Sequence, residues 1–179
     1  MVKIKDIDGR DYIVEDLDRF IIHLKDFQIL EDNEVIIKGM KPKWYSQQIR
    51  FFYNNRTYEI KKKSFWSSRF QILQSGSLIG DIPFNWKTGH HINLHQTNKK
   101  YWIKSTSKSM WKSDKTYSLL EEGVKSIIAI HYSWKKLKED IEIEILDNNI
   151  DYDLIIYALF LMRQQQQGEA AGSTVFIGG

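Results

Sequence analysis

From Leu154 to Met162 the chain reads Leu-Ile-Ile-Tyr-Ala-Leu-Phe-Leu-Met, nine residues without a charge or an amide. Asn149 or Asp151 stands ahead of it as a cap, Asp153 adds an acid, Arg163 a base, and Gln164–Gln167 lead into Gly168. Acid first, base last and glycine beyond are the boundary signals of a helix, so the sequence predicts one over residues 151–167. Wound as a helix, the run is apolar all round, which requires burial on every side. A bilayer span takes about 20 apolar residues, roughly twice this run, so an integral membrane protein is not expected. A central strand is the rival reading, but the run is long for a strand and its end signals are helical. A chain holding this segment must wrap it in protein.

The remaining sequence is written for β-strands. Aromatics make up 13% of the 179 residues, with 9 Phe, 9 Tyr and 6 Trp against 2 Pro, and large aromatic side chains favour half-buried pleated surfaces. A mean hydropathy of −0.45 with 27% charged residues excludes a disordered or collagenous chain and fits one soluble globular domain. With 0 Cys there is no disulfide frame, thiolate nucleophile or cysteine-based zinc site. The opening Met1-Val2-Lys3-Ile4-Lys5-Asp6 lacks the long apolar core of a secretory signal. A cytoplasmic location is therefore expected, with room for a role at the periphery of a membrane.

Hairpins follow one another along the sequence. Asp8-Gly9 lies between Lys3–Ile7 and Tyr12–Val14, a two-residue turn signal. Behind Asp16, the residues Leu17, Phe20, Ile21 and Leu24 have the spacing of a short amphipathic helix. Asp32-Asn33 separates Phe27–Leu30 from Val35–Lys38. In Gln48–Ile60, Asn54-Asn55 can both take positive φ, and a two-residue loop there sets Ile49 against Ile60 and Phe51 against Tyr58. The other face then carries Arg50 opposite Glu59, so polarity and charge agree on one register. Ser75-Gly76 joins Arg69–Leu73 to Leu78–Ile82 in a register ambiguous by one residue. A turn near Asn98-Lys99 joins His91–His95 to Tyr101–Lys104, setting His95 opposite Trp102 and Asn93 opposite Lys104. Lys125–Tyr132 and Ile141–Ile145 bring the total to about ten strands.

Short connections make neighbouring strands antiparallel, and about ten to twelve such strands surround a helix most economically by closing into a barrel. A sandwich with the helix across one open end is the structural rival. The expected fold class is mainly β (α+β): a closed antiparallel barrel around a buried C-terminal helix, preceded by a short amphipathic helix. One domain over 1–179 would comprise N-terminal hairpins and the short helix at 1–44, barrel strands at 45–150, the buried helix at 151–167 and a tail at 168–179.

Tyr58-Glu59-Ile60-Lys61-Lys62-Lys63 leads to Phe70-Gln71-Ile72-Leu73, a glycine turn, and Leu78-Ile79-Gly80-Asp81-Ile82. This succession resembles the strand, turn and Ile-Gly-x-Ile pattern of the tubby C-terminal-like superfamily, which includes the phospholipid scramblases and the LURP-one-related proteins. The resemblance covers about residues 45–167 and implies a closed barrel threaded by a hydrophobic helix near its C-terminus. The amphipathic helix near Leu17 and a tail carrying Thr174-Val175-Phe176-Ile177 depart from that pattern. Scrambling activity is not carried over with the resemblance, because fold does not fix function.

Charge is distributed unevenly. From Lys99 to Lys138 ten Lys stand against Asp114, Glu121 and Glu122, while Glu139–Asp153 holds seven acids and no base. Strand alternation puts Lys100, Trp102 and Lys104 on one face and Tyr101 and Ile103 on the other. Lysine beside tryptophan suits a boundary with anionic headgroups, where the ring sits at the interface and the ammonium meets phosphate. Lys99, Lys100, Trp102, Lys104, Lys108, Trp111 and Lys112 are the candidate anion- or lipid-binding residues. The plainer reading is a solvated strand face whose lysine stems cover tryptophan. The acidic block argues against nucleic acid, which leaves an anionic membrane surface, a phospholipid headgroup or another protein as partners.

Catalytic signals are absent or misleading. His91 and His95 would lie about 13 Å apart along a strand, too far to share a metal, and His90 points to the other face. His23 and His131 are lone residues in apolar runs, read as core or rim histidines with satisfied nitrogens. Ser105-Thr106-Ser107-Lys108, Ser109-Met110-Trp111-Lys112 and Lys87-Thr88-Gly89 imitate the penicillin-recognising serine enzymes. Their order is wrong, and neither Ser-x-x-Lys opens a helix. Nothing fits a phosphate loop, a nucleophile elbow or a dinucleotide fingerprint, so no catalytic residue, metal or cofactor is expected. The sequence favours a non-enzymatic barrel module binding anionic headgroups or another anionic partner. A protein-interaction scaffold comes second, and an enzyme with a pocket at the barrel mouth third.

Overall fold

The computed structural model describes residues 2–6, 26–31, 34–40, 48–85, 89–106, 114–135 and 138–173. Among them the strands are β1 (Val2–Asp6), β2 (Asp26–Glu31), β3 (Glu34–Met40), β4 (Ile49–Tyr53), β5 (Arg56–Lys62), β6 (Phe70–Gln74) and β7 (Ser77–Ile82). They continue with β8 (Phe84–Asn85), β9 (Gly89–Leu94), β10 (Lys99–Ser105), β11 (Asp114–Glu121), β12 (Lys125–Lys135) and β13 (Lys138–Ile145), and the chain then forms α1 (Asp153–Ser173). The strands make one antiparallel sheet in the order β10-β11-β12-β13-β1-β2-β3-β4-β5-β6-β7-β9, with the two-residue β8 on β9. β9 pairs with β10 as well as with β7. The protein is thus mainly β with one C-terminal helix.

Local turn chemistry accounts for much of the register. Asn54 and Asn55 take φ of 48° and 57°, and the hairpin they close sets Ile49 opposite Ile60, Arg50 opposite Glu59 and Phe51 opposite Tyr58. Arg50 and Glu59 form an ion pair at 3.1 Å, and the Phe51 and Tyr58 rings stack at 4.8 Å. β2 and β3 pair across residues 32–33 as their flanking apolar runs require. At Ser75-Gly76 the ambiguity of one residue has a physical cause. Leu73 lies opposite Leu78 but Ile72 opposite Gly80, so a bulge uses both registers in one hairpin. Gly80 also lets β9 come close, since a Cβ there would stand 2.5 Å from the backbone oxygen of Asn93.

Several expectations are corrected. β9 and β10 are joined by four residues, 95–98, not by a turn near Asn98-Lys99 alone. Trp102 therefore lies opposite His91 instead of His95, and Asn93 opposite Lys100 instead of Lys104. The displacement is even, so every side chain keeps its expected face. Asp114–Glu121, which the strand count omitted, is β11, ending at Glu122 and Gly123 with φ of 50° and 73°. Apart from these corrections, β1, β2 and β3 join the same sheet as the later strands, with β1 between β13 and β2. The second arm of the Asp8-Gly9 hairpin, the amphipathic helix near Leu17 and Thr174–Ile177 lie outside the described residues.

α1 does not stop at Gly168 but runs through it to Ser173. Every residue from Leu154 to Met162 is buried, as an all-round apolar helix demands. Each of its Leu, Ile, Phe and Met side chains contributes about 1.5–3 kcal/mol on leaving water. Phe160 meets Phe70 of β6 edge-on at 4.8 Å, and Tyr157 meets Phe51 of β4 at 6.0 Å. The Arg163 guanidinium lies 5.6 Å from the Tyr132 ring of β12. Just before the helix, the Tyr152 hydroxyl donates to Glu31 of β2 at 2.8 Å. Near its far end Glu169 accepts from Lys115 of β11 at 2.8 Å. Among the described residues no helix is long and apolar enough to cross a membrane, because α1 turns polar from Arg163 onward.

Antiparallel alternation sorts the connections into two groups. The turns at 54–55, 75–76, 95–98 and 122–124 lie at one end of the strands, where α1 begins. The β5–β6 connection at 63–69 and Pro83 lie at the other.

Candidate functional site

Of the seven lysine and tryptophan candidates, Lys99, Lys100, Trp102 and Lys104 sit on β10; Lys108, Trp111 and Lys112 lie outside the described residues. The alternation is as the strand period requires. Tyr101 faces inward, and burial, followed by Glu121 and Asp153, pushes its hydroxyl up to about 12. Lys100 and Lys104 are exposed on the outward face. Between them Trp102 is half-buried and stacks on His91, ring centroids 5.5 Å apart and planes at 13°. Burial, helped by Lys100, lowers the pKa of His91, so the site disfavours a charged ring under Trp102.

Acids from the next hairpin temper this row. Lys99 pairs with Glu121, and the Lys100 backbone N–H donates to Glu122 at 2.8 Å. The same happens across the wider lysine-rich stretch: Lys125 pairs with Asp147 and Lys115 with Glu169. Beside the row, Asp81 accepts from Asn93 at 3.3 Å, lies 3.2 Å from His95 Nε2 and 3.6 Å from Arg69 Nε. What β10 offers chemically is two ammonium groups, Lys100 and Lys104, on either side of one indole.

The histidines divide. His90 packs against Phe70 at 5.7 Å and Phe84 at 5.0 Å, and burial followed by His91 lowers its pKa. His131 is not in the core or at its rim. It lies exposed on the outward face, with Nδ1 3.3 Å from Thr116 Oγ1 and Nε2 3.3 Å from Glu144. A Thr-His-Glu line imitates a proton relay in composition, but these groups stand in water, where a neutral hydroxyl gains little from such neighbours. Among the described residues no three His, Asp or Glu side chains are placed to hold a metal ion.

The β5–β6 connection carries a feature that strand periodicity does not single out. Lys63 N–H donates to the Arg69 carbonyl at 3.0 Å, Ser67 N–H to the Ser64 carbonyl at 3.1 Å, and Arg69 N–H to Ser67 Oγ at 3.0 Å. The result is a tied loop with Phe65 and Trp66 at the two central positions of a turn. Their exposures are 81% and 91%, and their rings meet edge-to-face at 4.9 Å. Lys62, Lys63 and Arg69 flank them, all exposed. Lys61 is engaged with Glu59 at 3.0 Å. The sequence signal was two bulky aromatics where turns normally place Gly, Asn, Asp or Pro, inside a basic run.

At the opposite end of the strands a buried acid begins α1. Asp153 is 8% exposed, and burial, with Asp151 adding, pushes its carboxyl up to about 6. Asp153 interacts with Tyr157 one turn on, which offsets part of that rise, while among the described residues Asp153 Oδ1 and Tyr157 Oη form no well-aligned hydrogen bond. Set against family models, curated proteins and solved structures, this chain matches none of them.

Proposed function

We propose that the strands close into a barrel around α1, and that the barrel is a non-enzymatic module binding an anionic, phosphate-bearing partner through the outward face of β10. Closure is supported by β9, which pairs β7 along one edge and β10 along the other. It is also supported by the partners of α1 and Tyr152, which come from β2, β4, β6, β11 and β12, elements spread along the whole strand order. This is the architecture that the resemblance to tubby-like barrels implies. A lumen filled by Leu154–Met162 is a packed core, and a packed core leaves no cleft for a substrate, which favours binding over catalysis.

The observation that carries the binding reading is the row Lys100-Trp102-Lys104. Both lysines are exposed, and neither ammonium takes part in an ion pair among the described residues. Near an anionic surface each lysine is worth about 1 kcal/mol. Sedimentation with phosphatidylcholine vesicles, with and without phosphatidylserine, tests this. The protein is expected to prefer the anionic vesicles, increasingly so at low salt. Lys100→Gln with Lys104→Gln should weaken that binding by roughly thirtyfold. A double variant that binds both vesicles as the parent does overturns the reading.

A further inference from the structure

We propose that the Ser64–Ser67 turn is a membrane anchor, with Phe65 and Trp66 entering the interface of an anionic bilayer while Lys62 and Lys63 meet its headgroups. This goes beyond the β10 reading and does not rest on it, because it comes from different residues at the strand ends. Two large aromatics at 91% and 81% exposure are a poor solution for a turn facing only water. Their place is specific: the loop base is tied from Lys63 to Arg69, and the turn is closed from Ser64 to Ser67. The tip is therefore held out before anything binds, so docking orders little extra chain.

The chemistry of the flanks selects the occupant. Lys62 and Lys63 are exposed and have no ion-pair partner among the described residues, whereas Lys61 is engaged with Glu59. Tryptophan is the residue of membrane–water boundaries, and lysine and arginine next to it attract anionic lipid. A protein partner fits the tip less well. Two aromatic side chains offer roughly 300–500 Å² in all, well below the roughly 800 Å² per partner of a stable protein interface. A bilayer takes up a small projecting tip without needing a matching groove. In sequence, Lys43-Trp44 falls between β3 and β4, Trp86-Lys87 between β8 and β9, and Trp111-Lys112 between β10 and β11. Those residues lie outside the described ones, and the proposed site does not include them.

The test uses the full chain and vesicles of phosphatidylcholine alone or mixed with phosphatidylserine. Phe65→Ser with Trp66→Ser should lower binding to the mixed vesicles by about tenfold or more with an unchanged thermal midpoint, since both side chains are already in water. Lys62→Gln with Lys63→Gln should lower it by roughly thirtyfold at low salt and much less at high salt. Trp66→Phe supplies a positional readout. It should still bind, but lipids brominated on their acyl chains should quench its tryptophan emission less than they quench the parent's. Serine variants that bind as the parent does, or equal quenching in Trp66→Phe and the parent, overturn the anchor. So does a chain that ignores vesicles but self-associates through Phe65 and Trp66, which would assign the tip to a second copy. If Lys100→Gln with Lys104→Gln binds normally while the serine variants do not, the β10 reading fails and the anchor stands.

Discussion

At one end of the strands the chain reverses through Asn54-Asn55, Ser75-Gly76, Asn98 and Glu122-Gly123, all with positive φ. At the other it turns through Phe65 and Trp66, the two most exposed aromatic side chains of the described protein. The first group is chosen by the backbone, because a tight reversal needs left-handed residues and small polar side chains supply them. The second group answers to nothing inside the fold. Phe65 and Trp66 add no burial, and turn geometry does not ask for them. Where residue choice is explained by folding, function need not be invoked; where it is not, the surface itself becomes the explanation. The same contrast runs along α1, which begins with a buried acid at the tight-turn end and finishes in polar residues toward the aromatic end.

The largest effect is expected where both ends depend on one element. Leu159→Asp places an unpaired charge in the middle of the buried run, at a cost of about 3–5 kcal/mol. That is a large share of the stability of an ordinary domain and corresponds to a fall of about 10 °C or more in thermal midpoint. The two ends should melt together in one transition. A variant that keeps its midpoint would mean that α1 is not enclosed and that the ends are not two faces of one unit.

Next in size is the buried acid of the tight-turn end. The folded Asp153 carboxyl titrates at about 6, above its ordinary 3.8, so the folded chain holds that proton more tightly than the unfolded one. Its contribution to stability therefore falls as pH rises from about 4 to about 6, and above that the full cost of burying the charge is present, about 3 kcal/mol. Asp153→Asn should be more stable than the parent by up to about 3 kcal/mol at pH 8, less a few tenths for the lost charge at the helix start. The gain should vanish near pH 4. Denaturant unfolding at several pH values checks this, and a gain independent of pH would remove the buried carboxylate as its cause.

What was legible in the sequence was whatever two or three neighbouring residues decide. The Asn54-Asn55 hairpin could be read pair by pair because polarity, charge and turn chemistry all demand one register. The β9–β10 register could not, since a shift of four residues leaves every side chain on its face and only the 95–98 loop and the partners beyond it choose. The lysine block looked like a basic surface in one dimension; antiparallel pairing then brought Lys99 to Glu121 and Lys125 to Asp147. Gly168 read as a stop, yet α1 continues, because Glu169 is held by Lys115 and Gln165. That anchorage outweighs the roughly 1 kcal/mol a glycine costs inside a helix. Phe65 and Trp66 were hidden for the opposite reason. In a chain so rich in aromatics, a Phe-Trp pair defaults to core, and only the tertiary structure puts it outside.

The smallest effect on stability is the one that separates the two ends most sharply. Asn55→Val forces a β-branched residue into φ of 57° and should cost about 1–2 kcal/mol, lowering the thermal midpoint while leaving vesicle binding intact. Phe65→Ser with Trp66→Ser removes far more apolar surface but should change stability by no more than about 0.5 kcal/mol. Surface that is in water in both the folded and the unfolded chain contributes nothing to the difference between them. If the aromatic pair proved as costly to remove as the turn residue, Phe65 and Trp66 would have to be packed against something within the fold. The contrast between a tight-turn end chosen by the backbone and an aromatic end that folding does not choose would then fail, because both ends would be chosen by folding.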